Sequence, residues 1–173
     1  SLLHQAAKSG NIETIKAILN VYPESDRVQA VNLEDEFRRT VLHIAAASGN
    51  VESLKFILSL YTESERLTAV RTRASSDWSL LHHAVSSGNF ESFKIVLELY
   101  PESERFRAVC MKDDRDETVL HLAAESGDPQ SIDIILALYP ESDRLGALLM
   151  QDRDGWTALH CAASRGKHES MKH

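Results

Sequence analysis

Apolar residues in this chain come in short helical clusters separated by punctuation. Val41, Leu42, Ala45 and Ala46 fall on one face of a helix, with the alanine pair leaving room for a close neighbour, and Gly49 follows where a residue free to take positive φ ends a helix. Asn50 then offers an N-cap and Glu52 a first-turn acid, while Val51, Leu54, Ile57, Leu58 and Leu60 make an apolar stripe with Lys55 on the outside. The spacing predicts an antiparallel pair of helices. Next, Pro101 to Val109 predicts a third short helix, with proline in its first turn and Phe106, Ala108 and Val109 on or near one side. Met111 to Glu117, polar and rich in Asp and Arg, predicts an exposed turn before the pattern starts again.

The restart is periodic. Leu3-His4, Leu42-His43, Leu81-His82, Leu120-His121 and Leu159-His160 are spaced by 39 residues at every step. Ala6-Ala7, Ala45-Ala46, Ala84-Val85, Ala123-Ala124 and Ala162-Ala163 keep the register, and Gly10, Gly49, Gly88, Gly127 and Gly166 close the first helix of each copy. Tyr22-Pro23-Glu24-Ser25-Asp26-Arg27 recurs from Tyr61, Tyr100 and Tyr139, with Thr62 in place of one proline. Units of this length are supersecondary repeats that cannot bury their apolar face alone. The copies run over about 1–35, 36–74, 75–113, 114–152 and, in part, 153–173. Ser1 falls on the column that opens the first helix and Met171 on the Leu54 column, so the array is expected to continue beyond this segment.

Composition narrows the function. With 19 Lys+Arg against 26 Asp+Glu and a net charge of −7, the chain lacks the basic excess that nucleic acid or an anionic membrane would require. Its apolar runs are far shorter than the ~20 residues of a membrane span. Cys110 and Cys161 show no CxxC spacing, and reduced thiols fit a cytoplasmic setting.

The motif Asp154-Gly155-Trp156-Thr157-Ala158-Leu159-His160-Cys161-Ala162-Ala163 resembles the ankyrin repeat, an Asp-Gly turn followed by Thr-Pro-Leu-His-x-Ala-Ala. Thr40, Thr118 and Thr157 match the threonine, Ser1 and Ser79 substitute for it, and Leu2, Val41, Leu80, Val119 and Ala158 stand where the family has proline. The resemblance implies an all-α ankyrin-type repeat solenoid with turn or hairpin tips. Here it carries two helices plus an extra short third helix per repeat, because 39 residues exceed the ~33 of the family. That third helix is expected on the outer, convex side. Similar long arrays occur in proteins that intracellular bacteria deliver into host cells, which would make the cytosol of a host an alternative compartment.

Eight histidines raise the question of a metal or catalytic centre. Two imidazoles on one zinc need nitrogens within ~4 Å, whereas equivalent residues of stacked helices stand ~8–10 Å apart. No metal and no cofactor are therefore expected, and the resemblance implies that His43, His82, His121 and His160 hydrogen-bond backbone groups at the turn. His83, His168 and His173 show no site-like spacing, and Cys161 reads as a small, partly buried thiol. Ser, His and Asp recur as columns without a singular convergence, and no phosphate loop occurs, so the segment is expected not to be an enzyme. Glu24/Arg27, Glu63/Arg66, Glu102/Arg105 and Glu141/Arg144 suggest solvated i,i+3 ion pairs.

Binding to a protein partner, by a monomeric module, remains. The resemblance places it on the turn tips and the exposed, concave side of the first helices: Phe37, Arg38, Arg39, Asp77, Trp78, Ser86, Arg115, Glu117, Glu125 and Trp156, with Arg165 beyond. Trp78 and Trp156 are the only tryptophans, a residue type that often dominates interfaces, unless each folds back over its own turn. The turn row changes sign, from Arg38, Arg39, Arg71 and Arg73 to Asp113, Asp114, Asp116 and Glu117. The alternative reading is the targeting arm of a larger enzyme, with its catalytic domain elsewhere.

Overall fold

The computed structural model describes the backbone of residues 1–170 and the side chains of residues 1–164, and Met171 and His173 lie outside it. The first copy forms α1 (Leu2–Ser9), α2 (Ile12–Leu19) and α3 (Arg27–Asn32), and the second α4 (Val41–Ser48), α5 (Val51–Ser59) and α6 (Glu63–Arg71). The third forms α7 (Leu80–Ser86), α8 (Phe90–Glu98) and α9 (Glu102–Val109), and the fourth α10 (Val119–Ser126), α11 (Pro129–Leu138) and α12 (Glu141–Leu149). The fifth contributes α13 (Ala158–Ser170). The architecture is an all-helical repeat stack, without a strand among the described residues.

The first helices α1, α4, α7, α10 and α13 pack in sequence, and the second helices α2, α5, α8 and α11 form a parallel row. Leu42, Leu81 and Leu120 are at most 1% exposed between neighbouring repeats, whereas Leu159, in the last of the described repeats, is 58% exposed. The helix breaks follow the punctuation. Gly10, Gly49 and Gly127 take left-handed φ of 67–69°, and the side chains of Asn11, Asn50, Asn89 and Asp128 accept from backbone N–H groups in the next helix's first turn. At Gly10 the reason is also steric, since a Cβ there would lie 2.5 Å from the Asn50 amide nitrogen of the next repeat. Gly166 is different, because α13 runs straight through it to Ser170. A glycine inside a helix costs only about 1 kcal/mol, and no Asn or Asp follows Gly166 to cap a second helix.

The third helices depart from expectation in three ways. Pro23, Pro101 and Pro140 stand at the N-cap, not in the first turn, and the first copy opens with a 3₁₀ turn, Glu24–Asp26, before α3. The predicted Glu/Arg ion pairs are absent among the described residues. Instead the arginine Nε donates back to carbonyls at the end of the preceding second helix: Arg27 to Leu19 at 3.2 Å, Arg66 to Leu58 at 2.8 Å, Arg105 to Tyr100 at 3.2 Å and Arg144 to Tyr139 at 3.4 Å. Those carbonyls stand at or just past the negative end of the helix dipole, which favours a cation, and an exposed i,i+3 ion pair offers little to compete with that. Ala108 and Val109 are buried, but Phe106 is 41% exposed and lies edge-on to Tyr139 of the following motif at 5.1 Å.

The tyrosines tie each repeat to the one before. Tyr61 Oη donates to Asn32 Oδ1 at 2.7 Å and Tyr100 Oη to the Val70 carbonyl at 2.8 Å. Third helices thus sit at the junctions between repeats, with α9 against both α8 and α11, and α12 against α11 and α13.

The Leu-His histidines cap their own helices. Backbone N–H groups of Thr40, Ser79 and Thr118 donate to Nδ1 of His43, His82 and His121 at 3.2 Å each, and Thr157 N–H to His160 at 3.3 Å. An accepting Nδ1 places the proton on Nε2. In His4 and His121 that nitrogen reaches a carbonyl of the segment that leads into the next first helix, Arg39 at 2.9 Å and Met150 at 3.0 Å. In His43 and His82 it is buried without a hydrogen bond. Burial holds His43 and His82 down at about 4 and His83 at about 3.

Two predictions follow from this packing. Leu120→Ala should cost ~2–5 kcal/mol in denaturant unfolding, since it opens a cavity between two repeats. A folded-state pKa below the unfolded value of 6.5 keeps these three histidines neutral while the unfolded chain takes up protons, so stability is full above that value and falls with the pH. At pH 5 each should cost about 2 kcal/mol relative to pH 7, partly offset by the opposite shift at Glu117; His83→Leu should flatten the measured slope by about one proton.

Candidate functional site

The turns before each first helix are tight hairpin tips. In three of them one aspartate organises the backbone: Asp35 Oδ1 accepts from Phe37 and Arg39, Asp113 Oδ1 from Arg115 and Glu117, and Asp152 Oδ1 from Asp154 and Trp156, all at 2.8–2.9 Å. Ala74 fills this place in the remaining tip, where Ser76 and Asp77 take φ of 60°. Tips also bond to one another, with Ser75 N–H on the Phe37 carbonyl at 2.8 Å, Asp114 N–H on Ser76 at 3.0 Å and Arg153 N–H on Arg115 at 2.9 Å. They therefore form one continuous row.

Beneath this row three cavities of about 340, 460 and 380 Å³ adjoin one another, sharing Arg115 and Glu117, and make a groove along the first helices. Three columns of the repeat build it. His83, Leu122 and Cys161 form the floor, Trp78, Glu117 and Trp156 the tip side, and Ser86, Glu125 and Ser164 the helix side. Phe37 and Arg39 line its N-terminal end. The groove thus gathers Phe37, Arg39, Trp78, Ser86, Arg115, Glu117, Glu125 and Trp156 from the residues expected to bind.

Arg38 and Asp77 are not among the residues lining the groove. Both take positive φ at the exposed turn corner, where Arg38 lies 3.9 Å from Glu34 and Asp77 Oδ2 2.7 Å from Arg73. Arg165 lies outside the described side chains, as does His168. A larger depression, about 960 Å³, lies elsewhere, between α6 and α9. Its Arg66 and Arg105 are helix caps repeated in every copy.

The two tryptophans differ. Trp78 folds back: its Nε1–H donates to Asp113 Oδ2 at 2.9 Å, and its ring lies 5.0 Å from that of His83. Trp156 is 44% exposed. His83 and Cys161, read from the sequence as residues without a site role, are the groove floor. Their shared column, occupied by Gln5, Ile44, His83, Leu122 and Cys161, varies more than the Leu-His column beside it, and that variability was the available signal.

Charge along the groove is uneven. The basic end is neutralised internally: Arg39 pairs with Asp35 at 2.7 Å and stacks on Phe37 at 4.8 Å, and Arg71 pairs with Glu104 at 2.8 Å. The other end gathers Glu117, Glu125, Asp152 and Asp154, against Arg115 as the only cation among the described lining residues. Burial, reinforced by Asp113 and Glu125, pushes Glu117 up to about 7. Burial, reinforced by Glu117, Glu125 and Asp152, pushes the Cys161 thiol up to about 11, so it stays protonated and is a poor nucleophile at neutral pH. Among the described residues no group of three or more His, Cys, Asp or Glu could hold a metal ion, and no helix is long and apolar enough to cross a membrane.

No curated protein matches the sequence significantly. The family model for ankyrin repeats, which spans three copies, matches residues 3–107 and again 102–173. With nearly every residue inside one of the two matches, and with its Leu-His helices, hairpin tips and stacked helical pairs, the chain belongs to the ankyrin repeat family, whose members generally mediate protein–protein interaction.

Proposed function

We propose that this chain is a non-catalytic interaction module that holds an extended segment of a protein partner in the groove beneath its tips. The observation that carries this reading is the convergence of three chemically varied columns of the repeat on one groove. Scaffold columns such as Leu42, Leu81 and Leu120 are spent on packing, whereas Trp78, Glu117 and Trp156 differ in chemistry while sharing one structural position. A partner in the groove would touch the residues that distinguish one repeat from another. An open trough lined by a protonated thiol, a neutral imidazole and carboxylates also suits recognition better than bond breaking, since nucleophile, base and oxyanion donors do not converge there.

Panning a random linear peptide library on the immobilised chain tests this reading, with affinities then measured by calorimetry. Ser86→Arg, which fills the groove from an exposed helix position, should abolish binding without lowering the melting temperature. Trp156→Ala should weaken it by more than about 1 kcal/mol. Glu63→Arg, in the depression between α6 and α9, should leave affinity unchanged; loss with Glu63→Arg and none with Ser86→Arg would move the site to the third-helix face. Trp78→Ala is a poorer probe, because it also removes the bond to Asp113 and should lower stability by about 1 kcal/mol.

A further inference from the structure

The histidine of each Leu-His pair and the floor position of the following repeat recur at one fixed spacing: His4 with Ile44, His43 with His83, His82 with Leu122 and His121 with Cys161. Only between the second and third repeats is the second member also a histidine. There the imidazoles of His43 on α4 and His83 on α7 meet edge to face, with ring centroids 5.3 Å apart. Both are sealed in, at 0% and 6% exposed, and neither Nε2 has a hydrogen-bond partner. His4 and His121, by contrast, spend Nε2 on the carbonyls of Arg39 and Met150.

Such a pair has no room for a proton while the junction is closed. Burial is the main reason, and it holds His43 at about 4 and His83 at about 3, the latter lowered further by His43 itself. The charges that act on the pair offset one another: Asp35 favours protonation of both rings, Arg39, ion-paired with Asp35 at 2.7 Å, opposes it, and His82 beside His83 on α7 opposes it too. Asp113, Asp114, Arg115 and Glu117 line the same cavity as His83, and the Thr72 carbonyl faces His43. Once α4 and α7 part, both rings return toward 6.5, so the open junction takes up two protons that the closed one refuses. Between pH 7 and pH 5 each ring should favour opening roughly twentyfold. Stability of a repeat stack is a sum of repeat and nearest-neighbour interface terms, so charging one interface weakens that one.

We propose that the junction between the second and third repeats is an acid-operated seam, at which protonation of His43 and His83 parts α4 from α7 before any other described junction opens. The seam runs through the groove. Phe37 and Arg39 line the N-terminal cavity from one side of the junction and Trp78 and His83 from the other, so parting the helices takes that cavity apart. Release of a bound segment in acid rests on the groove being the binding face; the opening itself does not.

The tips carry a reporter for each of three junctions. The Ser75 N–H bonds to the Phe37 carbonyl across the seam, the Asp114 N–H to Ser76 across the next junction and the Arg153 N–H to Arg115 across the one after. Amide hydrogen exchange resolved by NMR, expressed as protection relative to the unstructured rate at each pH, should show Ser75 losing at least tenfold between pH 7 and pH 5 and Arg153 less than threefold. His83→Leu and His83→Gln, whose new side chains are those of Leu122 and Gln5 in the same column, should each cut the loss at Ser75 at least threefold. Equal losses at Ser75, Asp114 and Arg153 would mean that the stack softens as one body and would overturn the seam, as would an undiminished loss at Ser75 in both variants. A panned peptide sensitive to Ser86→Arg but held equally at pH 7 and pH 5, with Ser75 opening as expected, would overturn release and leave the seam standing.

Discussion

Everything in this molecule depends on one constraint: a 39-residue unit made of short helices has an apolar face that only another unit can cover. Leu81 and Leu120 are sealed because a neighbour lies on each side, and Leu159 shows what the same residue looks like without one. Polar devices then fix the register that apolar contact leaves loose. The hydroxyls of Tyr61 and Tyr100 reach the previous repeat's third helix, the Nε2 atoms of His4 and His121 reach carbonyls of the segment that leads into the next first helix, and the tips exchange backbone hydrogen bonds. Burying His43, His82 and His83 neutral makes the stack acid-sensitive.

Lengthening the repeat did not simply add a helix to the surface. The third helices occupy the junctions, their arginines closing the ends of the second helices and their alanines and valines entering the core at Ala69, Val70, Ala108 and Val109. The first helices are left to repeat with little change, so the residues of a given column stand at equivalent places along the stack. That regularity turns variation along a column into a groove of varied chemistry, from His83 to Cys161 on the floor and from Trp78 through Glu117 to Trp156 on the wall.

Much of the fold was legible in the residues. Gly49, Asn50 and the Val51–Leu58 stripe mark a helix boundary and a helix by local stereochemistry, and the structure has both. The columns that line the groove were legible where they stood at a tip or on an exposed face. His83 was not, because a histidine in a helix next to a scaffold histidine looks the same whether it lines a cavity or fills a core. Gly166 was misread for a related reason: a glycine stops a helix only when a cap and a second helix follow it, as at Asn11, Asn50, Asn89 and Asp128.

The sequence by itself determined the period, the helix boundaries, the capping chemistry and the family, since these arise from residues close together in the chain and from their exact recurrence. Only the tertiary structure decided which columns share a groove, that Arg39 and Arg71 are already paired with Asp35 and Glu104, that Trp78 donates to Asp113 while Trp156 is exposed, and that the arginines of the third helix serve carbonyls and not carboxylates. Each of these turns on which of several competing partners lies within hydrogen-bonding distance. That distance is set by the stacking of units 39 residues apart, and local sequence does not encode it.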